Sequence, residues 1–172
     1  DLTDGGREGD HTKRVVVCRS GPSTVVSQQT AHEGLLAWTL RVGGTSPHFI
    51  VGACKSAFSE DCDRVPTEPG WLCNSAGGQD PAMSYVQVHK GDLFAVVADM
   101  GSANEARTGR LTIHQAKGSK STWKCVLDTR TLVGSVRLCA CLFGGGEVEL
   151  LNMRWQGNPS AMVSRYEQSY AA

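Results

Sequence analysis

The sequence predicts an all-β fold, and three observations carry that expectation. Between Gly91 and Leu151 the chain runs GDLFAVVADM, GRLTIHQ, STWKCVLD and GSVRLCACLFGGGEVELL. These are short stretches of Val, Leu, Ile, Phe and Thr bounded by Gly, Ser, Asn or Asp, which is how strands and turns are written. No helical period competes with that pattern in the same region. Upstream, LLAWTLRV alternates: Leu36, Trp38, Leu40 and Val42 fall on one face, and Leu35, Ala37, Thr39 and Arg41 on the other. That is the period of a half-buried strand, with the Trp face inward.

The elements follow in order. Residues 1–13 are Gly, Asp, Glu and Thr with almost nothing apolar, and read as a loose arm. RVVVC and STVVS read as two strands of an opening hairpin around Ser20, Gly21 and Pro22. After LLAWTLRV and the turn Gly43 to Ser46 comes HFIVGACKS, apolar on both faces. Gly52 in its middle implies a close neighbour. From Ala57 to Gly70 two prolines and several charges exclude both a central strand and a stable helix, which leaves a long loop of the kind that often binds. GWLCNS and SYVQVHK are further strands, the second alternating Tyr85, Gln87 and His89 against Val86 and Val88. GRLTIHQ turns Leu111 and Ile113 inward and Arg110, Thr112 and His114 outward. Roughly eleven strands at short spacing indicate a sandwich or a barrel. Residues from Met153 onward read as an extension with a helical turn or two.

At 172 residues the chain fits one domain, able to bury roughly two thirds of its unfolded surface. Asp1 stands where Met would be, which implies a chain cut from a longer protein or processed. No apolar stretch is long enough to span a membrane. The seven cysteines are odd in number and include no CxxC pair. Their simplest reading is small buried hydrophobes in a reducing, cytoplasmic compartment, with which the absence of an N-x-Ser/Thr acceptor agrees.

The 17 basic and 17 acidic residues cancel, which argues against a chain built mainly to coat nucleic acid. The charges are nevertheless uneven. Glu60, Asp61, Asp63 and Glu68 surround Arg64, whereas Arg107, Arg110, Lys117, Lys120, Lys124, Arg130 and Arg137 face Asp128 alone. A solvated outer sheet face, with Lys and Arg guarding strand edges, explains the basic pair without a ligand.

Signals for catalysis are missing. There is no G-x-S-x-G, and the five histidines stand singly without metal-ligand spacing. Gly118, Ser119, Lys120 and Ser121 lack the upstream glycine and the following helix that a phosphate loop needs. Asp99 and Asp128 are read as strand-end caps rather than paired catalytic carboxylates. Neither a metal nor a cofactor is implied.

The strand succession LLAWTLRV, HFIVGACKS, PGWLCNS, GDLFAVVADM, GRLTIHQ, GSVRLCACLF and GEVELL resembles the SPRY (B30.2-like) domain. The residues carrying the likeness are Trp38, Ile50 to Ala53, Gly70 and Trp71, Gly91 and Asp92 with Asp99, Gly109 to Ile113, and Leu138 to Phe143. The sequence departs from the family pattern at Ala37, Ala95, Ile113, His114 and Cys139. The resemblance spans residues 14–152 and leaves 1–13 as an N-terminal arm and 153–172 as a C-terminal extension. It implies a bent antiparallel β-sandwich of concanavalin-like type, acting without catalysis as a protein-protein interaction module. Its ligand would be a peptide or a partner surface, held by loops at one end of the sandwich.

By strand register the resemblance assigns partner binding to Arg19 and Pro22, to the loop before Gly70 with Arg64 and Thr67, and to Leu142, Phe143 and Gly144. A rigid aromatic beside a glycine lets a partner backbone approach, and Arg19 could pair with a carboxylate or carbonyl. One alternative is RNA binding on the basic strand pair through Arg107, Arg110, Lys117, Lys120 and Lys124. A second is a lectin-like glycan site, because lectins share the sandwich.

Overall fold

A computed structural model describes residues 14–18, 21–45, 48–58, 65–67, 71–75, 83–101, 108–118 and 122–156. Among them are eleven strands and no helix. A six-stranded sheet runs β1 (Arg14–Val17), β11 (Gly146–Gln156), β3 (Gly34–Gly44), β7 (Leu93–Gly101), β8 (Gly109–Ala116), β9 (Trp123–Leu132). A five-stranded sheet runs β2 (Ser23–Val26), β10 (Val136–Leu142), β4 (Phe49–Lys55), β5 (Leu72–Asn74), β6 (Met83–Tyr85). Every pair is antiparallel except β5 with β6.

Strand period decides what lies between the sheets. Leu36, Trp38, Leu40 and Val42 of β3 meet Phe94 and Val96 of β7, Leu111 and Ile113 of β8, Phe49 and Val51 of β4, and Leu138, Ala140 and Leu142 of β10. Each fully buried large side chain contributes roughly 1.5–3 kcal/mol. Phe49 and Phe94 pack ring to ring across the sandwich, centroids 5.1 Å apart and tilted by 53°, a favourable aromatic geometry. Val86 and Val88 also point inward while Tyr85, Gln87 and His89 are exposed, although β6 itself ends at Tyr85.

The five-stranded sheet is apolar on its outer face as well. Val26, Ile50, Cys54, Leu72, Cys139 and Cys141 form a second cluster, against which Phe58, Val65 and Phe143 pack. β4 is therefore covered on both sides, as its sequence suggests. Gly52 sits where a Cβ would collide with the Trp71 carbonyl oxygen and approach Leu72 Cα to 3.0 Å, so β5 lies over it at backbone distance.

Three expectations are corrected. β1 and β2 form no hairpin: β1 pairs with β11 and β2 with β10, so the chain crosses between sheets at residues 18–22. The Gly-Pro signal marks a turn, and it is silent on which open edge receives the next strand. Residues Met153 to Gln156 are strand, because β11 passes a register irregularity between Leu150 and Asn152 and then continues along β3 as far as Leu35. Asp128 lies inside β9, not at a strand end, while Asp99 Oδ1 does accept the Gly101 N–H at 3.0 Å. Residues 1–13 and 157–172 lie outside the described part.

Candidate functional site

Antiparallel pairing of β4 with β10 sets Phe49 opposite Leu142, so the residue before β4 and the residue after β10 emerge side by side. They are His48 and Phe143, and their rings stack with centroids 3.9 Å apart and planes within 6°. Both are half-buried. Burial lowers the His48 pKa below the ordinary histidine value, against a hydrogen bond with Asn74 that raises it. The imidazole is therefore neutral at physiological pH.

Three backbone segments close around this pair. Cys18 N–H donates to the Gly146 carbonyl at 2.9 Å, and Gly145 N–H donates to the Cys18 carbonyl at 3.0 Å. The Cys18 thiol donates to the Gly21 carbonyl at 2.9 Å, within the β1–β2 connection itself. Thr45 N–H donates to the Gly145 carbonyl at 2.9 Å. On the far side of β4, Phe49 N–H donates to Ser75 Oγ at 2.8 Å, bringing the end of β5 to the same rim.

Of the residues singled out from sequence, Pro22, Phe143 and Gly144 come together here: Pro22 is half-buried and Gly144 exposed. Leu142 does not join them. It is 1% exposed and packs in the main core, since alternation along β10 turns it away from the rim. Thr67 is exposed beside buried Pro66, but its loop leaves β4 at Lys55, which pairs with Val136 at the opposite end of β10 from Leu142. Val65 packs on the outer-face cluster that Phe143 also borders. Arg19 and Arg64 lie outside the described residues. Cys18 and His48 carry the rim, and sequence reading passed over both. Their signal, adjacency to the ends of β1 and β4, becomes legible only when the strand pairing is known.

Two members of the basic strand pair, Arg110 and Lys117, are engaged internally. Arg110 clamps Asp128 with both fork nitrogens, at 2.9 and 2.8 Å. That hydrogen bond holds the Asp128 carboxyl below its usual range against burial, which raises it. Lys117 Nζ donates to the Gln87 carbonyl at 2.6 Å and to Asp92 Oδ2 at 3.1 Å. Lys124 is exposed on β9; Arg107 and Lys120 lie outside the described residues. Gly118 lies between β8 and β9, so the Gly-Ser-Lys-Ser segment joins two strands and no helix follows it.

Asp92 organises a buried polar node. It is 2% exposed and accepts from His89 N–H at 2.9 Å, Gln115 Nε2 at 2.9 Å, Lys117 Nζ at 3.1 Å and Gly118 N–H at 3.3 Å. Burial alone would raise its pKa, but these donors outweigh it and leave the carboxyl below the ordinary aspartate value. The Gly-Asp pair is thus structural: Gly91 takes φ +91° so that Asp92 can cap the turn and bridge to the β8–β9 connection.

Five of the six described cysteines are buried. Burial, with a further contribution from nearby Cys125, pushes the Cys73 thiol up to about 12. Burial, then Asp128, also raises exposed Cys125, so neither is poised as a thiolate nucleophile. No group of three His, Cys, Asp or Glu side chains among the described residues could hold a metal.

With this geometry in hand, known structures supply the comparison. The SPRY domain of human HERC1 superposes with a TM-score of 0.51 at 14% identity, over 83% of this chain and 90% of that one. The fold is a divergent SPRY-like sandwich. Stonustoxin matches with a TM-score of 0.50 at 13% identity, over 74% of this chain and 20% of its own length. The TRIM65 PSpry domain matches at 0.49 and 12% identity, over 75% of this chain and 68% of that one. No family model matches the chain, and no curated protein sequence does either. At these identities the SPRY likeness is one of architecture: two stacked sheets with β1 and β2 at their edges.

Proposed function

We propose that this domain is a non-enzymatic protein-protein interaction module that takes a peptide or partner surface at the loop end where Cys18, Pro22, Thr45, His48 and Phe143 to Gly146 lie. The observation that carries this reading is the half-exposed His48–Phe143 stack beside exposed Gly144. It is a flat apolar platform with open backbone next to it, on a rim braced by Cys18 and Gly145. Aromatic anchors on rigid supports concentrate binding energy. The SPRY-like architecture supports the same reading, since the resemblance implies ligand loops at one end of the sandwich. Arg19, next in sequence to Cys18, belongs to the same proposal as a partner for a carboxylate or carbonyl. An odd number of cysteines with no CxxC pair supports an intracellular, reducing setting.

Affinity capture with the wild type and with Phe143→Ala, quantified by mass spectrometry, tests this proposal. Specific partners should be depleted from the variant by tenfold or more, the scale of a hot spot of about 2 kcal/mol. Equal recovery on a variant that melts like the wild type would place the binding surface elsewhere. Salt-sensitive capture of RNA, unaffected by Phe143→Ala, would favour the basic strand pair instead.

A further inference from the structure

Between the two sheets lies a recess that the core leaves unfilled. Val16, Trp38, Val148 and Leu150 of the six-stranded sheet line it on one side, and Val25 and Ala140 of the five-stranded sheet on the other. The space amounts to about 290 Å³, its open mouth included. Val16, Val25 and Leu150 are half-buried, so the mouth lies beside β1 and β2, the strands that end the two sheets. Each of these strands is four residues long and pairs with a single neighbour. Ala140 accounts for the space: on the inward face of β10 it stands between Leu138 and Leu142, and its side chain stops short where theirs fill the core. The walls are apolar side chains, and the polar atom among them is the indole nitrogen of Trp38. Trp38 is 2% exposed, and its Nε1 is buried with no acceptor among the described residues. A buried indole N–H ordinarily has a partner.

We propose that this recess binds a small apolar molecule carrying one hydrogen-bond acceptor, a ketone, ester or ether oxygen that takes the Trp38 N–H. The chemistry of the walls selects this occupant. A water molecule needs several polar partners to be held in a protein interior, and the lining side chains offer one donor. A pure hydrocarbon suits the walls but leaves the N–H without an acceptor, a costly state for a buried donor. An ionised ligand would bury its charge unpaired, because no charged side chain lines the space. An apolar body with a single oxygen meets both demands. The site is additional to the loop-end reading: Ala140 faces the inter-sheet core, whereas Phe143 borders the cluster on the opposite face of the five-stranded sheet.

Cyclopentanone and cyclopentane share a ring and differ in the carbonyl, which makes them the probes for the test. Each is titrated into the isotope-labelled wild-type protein while the Trp38 indole N–H is followed by NMR, and melting temperatures are recorded alongside. Cyclopentanone should move that resonance saturably and raise the melting temperature. Cyclopentane should bind about fivefold more weakly, the worth of one neutral hydrogen bond. Trp38→Phe keeps an aromatic ring and removes the donor, so the two probes should bind it alike. Ala140→Leu fills the recess and should abolish binding of both; Ala140→Val is the milder filling if the larger side chain prevents folding. A Trp38 resonance that neither probe moves up to its solubility limit overturns the site, and so does undiminished binding by a folded Ala140 variant. Equal affinity of the wild type for the two probes overturns the role of the indole N–H. A buried water in contact with that N–H that cyclopentanone does not displace overturns the proposal as well.

Discussion

Replacing Asp92 with alanine removes the acceptor on which four donors converge. The cost follows from which donors can find water. Lys117 is 48% exposed on its side chain, so its ammonium re-solvates and keeps the Gln87 carbonyl; it adds little. Gln115 is buried and retains the Gln87 carbonyl for one of its two N–H groups. Its second N–H and the His89 N–H lose their partner, whereas the Gly118 N–H, the longest of the four at 3.3 Å and on a half-exposed residue, turns to water. At 1–3 kcal/mol for each donor left unsatisfied, the loss is about 3 kcal/mol. For a chain of this size that corresponds to roughly 6–12 °C in melting temperature. Urea unfolding followed by tryptophan fluorescence should show a lower midpoint with an unchanged slope. A loss below about 1 kcal/mol would refute the view that Asp92 is the structural hub of the turn. The same node sets a pH signature. Because the folded-state pKa of Asp92 is depressed, its stabilisation is complete above the unfolded value of about 3.9 and disappears as pH falls through the folded value. The stability gap between wild type and Asp92→Asn should therefore narrow in acid. A gap that widened below pH ~4 would contradict this sign.

Two further outcomes separate core from rim. Gly52→Ala drives a methyl into the Trp71 carbonyl, which already accepts the Ala53 N–H at 3.0 Å. β4 and β5 must part, so thermal unfolding by circular dichroism should report a loss of more than about 2 kcal/mol. Leu142→Ala should cost about 2–5 kcal/mol by opening a cavity, while the folded fraction captures the same partners as the wild type with unchanged affinity. Loss of affinity without loss of stability would return Leu142 to the binding surface.

Strand faces were legible because a period of two is local. Leu36 to Val42 and Leu111 with Ile113 could be assigned inward from alternation alone, and the structure buries them all. What was illegible is whatever depends on a distant edge. RVVV and STVV have nearly the same composition, yet one completes the six-stranded sheet and the other the five-stranded sheet. The choice is made by β10 and β11, more than a hundred residues away. The irregularity near Leu151 likewise keeps Met153 packed on the core, and no glycine or proline announces it.

The same distinction explains why charge was the poorest guide and glycine the best one. Composition counts Arg110 and Lys117 as free positive charge. Antiparallel pairing of β8 with β9 instead brings Arg110 within reach of Asp128, and the β8–β9 turn delivers Lys117 to Asp92. A run of like charges thus says little until its cross-strand neighbours are known. A glycine can be interrogated position by position once the backbone is known. Where φ is positive or a Cβ would collide, the fold accounts for it. Within the Gly144–Gly146 run those two causes dispose of Gly145 and Gly146 and leave Gly144 over. Gly144 is thus the member of that run whose identity the fold does not fix, and it lies exposed beside the braced His48–Phe143 pair.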